Sequence, residues 1–154
     1  MHKGLIAKAS ISIGAPSREV WQALVVPEAI KQYLFGTTVV SEWRQGGPIV
    51  WKGERKVKAY EDKGVILQLE PGRRITYSHF SPLSGLPDEP QNYHTVTVEL
   101  TTGGEQEGVG DQAVGGDQTH VSLEQDNNAS EEARAHSEQN WQAMLAALKE
   151  MVER

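Results

Sequence analysis

The sequence predicts an α+β domain: a curved antiparallel sheet of six or seven strands wrapped around a long C-terminal helix. Three observations carry that expectation. Residues 130–154 read as one uninterrupted helical stretch, with an apolar stripe at Trp141, Met144, Leu145, Leu148 and Val152, the i, i+3, i+4, i+7, i+11 spacing of a helix face. Residues 37–125 alternate instead with a period of two, broken by short turns. Between the first strand and that run lie two short helical patterns split by a proline. Strands joined by turns this short pair antiparallel, and helices gathered on one face of such a sheet define the class.

Taken in order, residues 5–13 alternate through Leu5, Ala7, Ala9, Ile11 and Ile13 and form the first strand. Gly14-Ala15-Pro16-Ser17 ends it, and Pro16 suits the first turn of a helix. Val20, Trp21, Leu24 and Val25 give that helix its apolar face; Pro27 stops it, and Ile30, Tyr33 and Leu34 mark a second short helix. Strands are expected at 37–44, 48–53, 55–61, 64–70, 73–80, 93–102 and 119–126, with 55–61 and 64–70 able to join as one bent strand. The turns between them are Gln45-Gly46-Gly47-Pro48, Glu61-Asp62-Lys63-Gly64 and Glu70-Pro71-Gly72-Arg73. Residues 81–92 carry three prolines and a glycine, too many for a hairpin turn. Residues 103–118, rich in glycine and acid, read as a mobile solvated loop.

The 154 residues suit a single domain, 1–154. A net charge of -6 opposes a nucleic-acid partner, and the basic run of Lys52, Arg55, Lys56, Lys58 and Lys63 reads as a solvated strand face. Zero cysteines exclude disulfides, thiolate catalysis and Cys-ligated zinc, and fit a reducing compartment. No run of 18 apolar residues predicts a membrane span. The polar start, Met-His-Lys-Gly, leads directly into a strand pattern, so the expectation is a cytoplasmic chain without a secretory signal.

Several local patterns occur together along the chain. They are Ala15-Pro16-Ser17-Arg18-Glu19-Val20-Trp21-Gln22-Ala23-Leu24, the Gly46-Gly47 turn followed by Trp51, and Tyr60-Glu61-Asp62-Lys63-Gly64-Val65-Ile66-Leu67. To these add Glu70-Pro71, Ile75-Thr76-Tyr77-Ser78-His79-Phe80, and Asn140-Trp141 with Met144 and Leu145. In this order and over nearly the whole chain they resemble the START-like (SRPBCC) superfamily, with its helix-grip fold. Within it, the sequence resembles the branch containing homologues of the activator of the heat-shock chaperone ATPase and the calicheamicin self-resistance protein. The resemblance implies a deep, mostly apolar cavity between the long helix and the curved sheet. It implies no single activity, because the fold hosts lipid carriers, hormone receptors, cyclases and chaperone cofactors.

Alternation assigns the inward faces: Ile49 and Trp51; Val65, Leu67 and Leu69; Ile75, Tyr77 and His79; Val96, Val98 and Leu100. If 73–80 and 93–102 pair so that every apolar residue shares one face, Ile75 opposes Val98, Tyr77 opposes Val96 and His79 opposes His94. That register sets two histidines beside Asp88 and Glu89 of the 81–92 loop. Three readings fit: hydrogen-bonded anchors for the loop, ligand contacts, or a metal or acid–base site. The spacing of the two histidines matches no metal motif, so no metal, cofactor or catalytic residue is assigned.

The candidate ligand contacts are Trp51, Leu67, Tyr77, His79, His94 and Val96 on the sheet, with His136, Asn140, Trp141 and Met144 on the helix. Trp51, Trp141, Tyr33 and Tyr77 also suit plain core packing, and Trp43 suits a strand edge. The first half of the helix offers only Ala133, Ser137 and Asn140 to the same face, with His136 beside them, which leaves room for a ligand. No Gly-x-Ser-x-Gly occurs, and Gly103-Gly104 and Gly115-Gly116 sit among acids, the wrong charge for cradling phosphate. The leading expectation is a binding protein for a hydrophobic small molecule, without enzymatic activity, as a monomer or homodimer. The alternatives are a cavity enzyme of cyclase, dehydratase or hydrolase type using His79 or His94 with Tyr77, or a stress-response module partnered with a heat-shock chaperone.

Overall fold

Strand β1 (Leu5–Ile13) is followed by helices α1 (Ser17–Val25) and α2 (Pro27–Tyr33) and then by six strands. These are β2 (Thr38–Ser41), β3 (Pro48–Arg55), β4 (Lys58–Glu70), β5 (Arg74–His79), β6 (His94–Thr102) and β7 (Thr119–Asn128). Helix α3 (Glu131–Glu153) closes the chain. The computed structural model describes residues 4–34, 36–55, 58–82, 85–102 and 118–153; the loop expected at 103–118 lies outside them except for Gln118. Among the described residues the seven strands form one antiparallel sheet in the order β1-β7-β6-β5-β4-β3-β2. The first two strands therefore lie at opposite edges, and α1 and α2 carry the chain across the sheet between them. This is the α+β helix-grip architecture.

Proline chemistry sets the two short helices. Pro16 caps α1 in an extended conformation, and Val26, also extended, ends it because Pro27 disfavours a helical residue before itself. Pro27 then occupies the first position of α2, where its missing N–H costs nothing. Helix α3 starts where Ser130 Oγ accepts the Ala133 N–H at 3.1 Å, with Glu131 and Glu132 favourably placed at the positive end of its dipole. Its Met144, Leu145 and Leu148 are buried in one cluster with Ile13, Val20, Val121 and Leu123, so the heavy half of the helix seals the core.

The helix also covers the open edge of the sheet. The N–H groups of Lys8 and Gly14 donate to Glu138 and Glu153 at 3.0 and 2.7 Å. Gln142 and Lys149 donate to the carbonyls of Ser10 and Ser12 at 2.7 and 2.9 Å. Four α3 side chains thus stand in for a neighbouring strand along β1, which protects an edge that would otherwise template pairing with another chain.

Two sequence expectations fail in β4. Glu61-Asp62-Lys63-Gly64 is not a turn: the flanking segments join through it as one strand, the alternative the sequence leaves open, pairing with β3 up to Val65 and with β5 from Ile66. Gly64 serves a close approach rather than a reversal, since a Cβ there would lie 1.7 Å from the Ser78 carbonyl oxygen. A one-residue bulge between Ile66 and Gln68 then reverses the facing. Ile66 and Leu69 point to the core, whereas Val65 and Leu67 are 40% and 47% exposed. Strand β7 also outruns its expected end at 126. Its Asp126-Asn127-Asn128 looks like a turn, but Asp126 Oδ1 accepts the Thr95 N–H at 2.6 Å and Asn128 Nδ2 donates to Leu5 O at 2.9 Å.

Candidate functional site

A cavity of about 920 Å³ lies between the inner face of the sheet, the α1–α2 pair and the first half of α3, a volume within the usual range of small-molecule sites. Alternation on β5 turns Ile75, Tyr77 and His79 into it, and β3 adds Ile49 and Trp51. Because Trp51 pairs with Asp62 across β3 and β4, the strand continuing through residues 61–64 brings a carboxylate to the same wall. Tyr33 comes from the end of α2, and His136, Ser137, Asn140, Trp141 and Met144 come from α3. Trp43 lines the space too, not as a strand-edge residue. Strand β2 ends at Ser41, whose Oγ accepts the Trp43 N–H at 3.0 Å, and Trp43 adopts φ 53, a costly conformation for a bulky residue that the surrounding structure must hold.

The aromatic wall is continuous. The Trp51 ring lies 5.2 Å from that of Tyr77 and 4.9 Å edge-on from that of His79, within the spacing favoured by such pairs. His79 Nε2 lies 2.9 Å from Asp62 Oδ2; a carboxylate oxygen accepts, so the histidine nitrogen donates. Asp62 Oδ1 is buried and meets no donor among the described residues. The amide of Gln125 accepts the indole N–H of Trp141, and Ser137 donates to Asn128 Oδ1 at 2.9 Å, so part of the polar lining is occupied by the protein itself. Burial pushes the Tyr77 phenol far above its ordinary value, and burial followed by the neighbouring Tyr77 does the same to Tyr33. Both hydroxyls therefore remain neutral donors at ordinary pH.

Seven sequence-predicted residues line the cavity together: Trp51, Tyr77, His79, His136, Asn140, Trp141 and Met144. Three do not. Leu67 faces outward because of the β4 bulge; Val96, opposite Tyr77, is buried within the core. His94 opposes His79 in the expected register, but its Nδ1 lies 2.9 Å from the Asp126 carbonyl, to which it donates. Asp88 does not join the two histidines. It pairs with Lys63 and accepts the Tyr93 hydroxyl at 2.6 Å, which hold its carboxyl below the ordinary value. Among the described residues no group of three or more histidines and carboxylates is arranged to hold a metal, and no helix is long and apolar enough to cross a membrane.

Sequence reasoning missed Asp62, Gln125 and Thr37 as lining residues, along with Trp43. Asp62 was hidden by a tetrapeptide with turn composition. The usable signal was the alternation of Glu61, Lys63 and Val65 with Asp62 and Ile66, which makes Asp62 an acid on the inner face of a strand.

The protein-family model described as Activator of Hsp90 ATPase homolog 1-like protein matches residues 14–109. Among solved structures, ChR145 from Cytophaga hutchinsonii is 52% identical, aligns over 99% of this chain and 97% of its own, and superposes with a TM-score of 0.80. The Aha1 dimer from Colwellia psychrerythraea is 18% identical over 97% of this chain and 96% of its own, with a TM-score of 0.68. DynU16, from the dynemicin biosynthetic locus, is 16% identical over 96% of this chain and 47% of its own, with a TM-score of 0.74. The last two likenesses concern the fold alone. No curated protein matches the chain.

Proposed function

The chain belongs to the Activator of Hsp90 ATPase homolog 1-like family, in the START-like superfamily, and from that premise we propose that it holds a small apolar or aromatic molecule between α3 and the sheet. The observation that supports this most is the cavity itself: about 920 Å³ with Trp43, Trp51, Tyr77 and Trp141 among its walls. Flat aromatic surfaces offer a ligand large contact area at little conformational cost. His136 and Asn140, exposed on the light half of α3, stand at the mouth. Calorimetric titration with a panel of one- and two-ring aromatic compounds tests the reading. Saturable 1:1 binding that weakens in the Asn140→Trp variant, which obstructs the mouth, is the expected result; no saturable heat from any member would contradict it.

The family description supports a second reading, contact with a heat-shock chaperone. Stimulation of the ATPase of the host's chaperone by the purified protein would favour it, and an unchanged rate at saturating concentration would dismiss it. The working state is a monomer or a homodimer, the latter by analogy with the Colwellia protein; light scattering distinguishes the two.

A further inference from the structure

Resting on the binding reading above, we propose that the cavity selects a neutral aromatic ligand carrying an acceptor oxygen, a ketone, ester or amide carbonyl, and that the hydroxyls of Tyr33 and Tyr77 donate to it. The two phenols reach the cavity from different elements, Tyr33 from the end of α2 and Tyr77 from β5. Tyr33 is only 3% exposed. Tyr77 is half-buried on a strand flanked by β4 and β6, so the surface it keeps on the inner face opens to the cavity it lines. Neither hydroxyl has a hydrogen-bond partner among the described residues. Neither is sealed off: in the covered residues among those described, Asp62 Oδ1 is the one side-chain polar atom both closed to solvent and unpartnered. The two phenol oxygens therefore keep accessible surface, and the space they adjoin is the cavity.

Burial holds both phenols in the neutral form, and the neighbouring Tyr77 adds to the effect on Tyr33, so each presents an O–H. A donor without a protein partner gains most from an acceptor, and a carbonyl oxygen offers two lone pairs. A ring lying against Trp51, which packs 5.2 Å from Tyr77, would carry such an oxygen toward these hydroxyls. Charge decides between a neutral and an anionic acceptor. Among the described lining residues there is no lysine or arginine, whereas Asp62 lines the same space and holds His79. A carboxylate ligand would meet that charge at close range.

The test titrates three probes calorimetrically into wild type, Tyr33→Phe, Tyr77→Phe and the double variant. They are 2-acetylnaphthalene, 2-isopropenylnaphthalene, in which a CH₂ group replaces the carbonyl oxygen at nearly the same shape, and 2-naphthoate, the anionic acceptor. The wild type is expected to bind the ketone about tenfold or more tighter than the alkene, and tighter than the carboxylate. The ketone-to-alkene ratio is expected to fall in each single variant and to approach one in the double variant. Removing hydroxyls that have no partner breaks no bond, so the Tm of each ligand-free variant should stay at or above the wild-type value. A clear fall would show that the hydroxyls already have partners inside the protein and would overturn the inference. Equal binding of ketone and alkene to the wild type would overturn it too and leave the binding reading intact. Tighter binding of 2-naphthoate would overturn the choice of a neutral ligand, and a ratio that persists in the double variant would overturn the assignment to the tyrosines. Binding of no probe would overturn both readings.

Discussion

Gly64→Ala puts the unusual geometry of β4 under direct test. The added Cβ would fall 1.7 Å from Ser78 O, 2.6 Å from Ser78 C and 3.3 Å from His79 N. All three are backbone atoms, so no side chain can rotate away, and β4 and β5 must separate by more than 1 Å. The first bonds lost are those between Lys63 and Phe80, at 3.0 and 2.8 Å, worth about 1 kcal/mol each. Strain from overpacking adds about 1–3 kcal/mol. The expected loss is therefore about 3–5 kcal/mol, read as a lower urea midpoint, and a fall in Tm of roughly 6–20 °C for a domain of this size. Gly72→Ala is the control: Gly72 has open space around it but φ +81, so it should cost only the left-handed penalty of about 1 kcal/mol. A loss below about 1 kcal/mol for Gly64→Ala would refute the close-approach account of the strand.

Four further outcomes follow from the same contacts. Leu148→Ala, at a fully buried position on α3, should cost about 2–5 kcal/mol by urea denaturation. Trp141→Phe removes the indole donor that Gln125 accepts and should cost about 1 kcal/mol, visible as a modest drop in Tm. Replacing Gln142 and Glu153 together by Ala uncovers the edge of β1; faster hydrogen exchange at the Gly14 amide and concentration-dependent association are expected, whereas unchanged exchange would deny the edge-covering role. Burial raises the phenols of Tyr33 and Tyr77 in the folded state. Their contribution is fully present below the unfolded value of 10.0 and is lost as pH rises above it, because the unfolded chain then releases protons that the folded one retains. Phenolate absorbance from these two residues should appear together with loss of circular dichroism, not before it.

The long-range plan of the fold was legible because periodicity reports it directly. The α3 stripe from Trp141 to Leu148 and the apolar alternation of β5 and β6 required one packing arrangement, and the pairing of Ile75 with Val98 and Tyr77 with Val96 is the observed register. What escaped the sequence depended on single-residue events. Gly64 carries the composition of a turn but provides a close approach in mid-strand. The bulge after Ile66 is set by pairing with β5, and no local pattern announces it; this is why Leu67 was assigned to the wrong face. Asp62 is concealed by the turn composition of residues 61–64, through which the strand runs. Residues at the cavity wall were easier to find on β5 and α3, where the period is unbroken, than on β4, where it is interrupted. His94 shows the remaining limit: register fixes its neighbour across the ladder, but not that its ring turns to the Asp126 carbonyl.

The central claim is that the space between α3 and the sheet is a ligand site, and NMR titration of isotopically labelled protein with 2-naphthol tests it most directly. The account predicts saturable shifts of the indole N–H signals of Trp51 and Trp141 and of the amides of Tyr77 and His79, with Val65 and Leu67 on the outer face unmoved. Shifts confined to the outer face, or none that saturate, would contradict it.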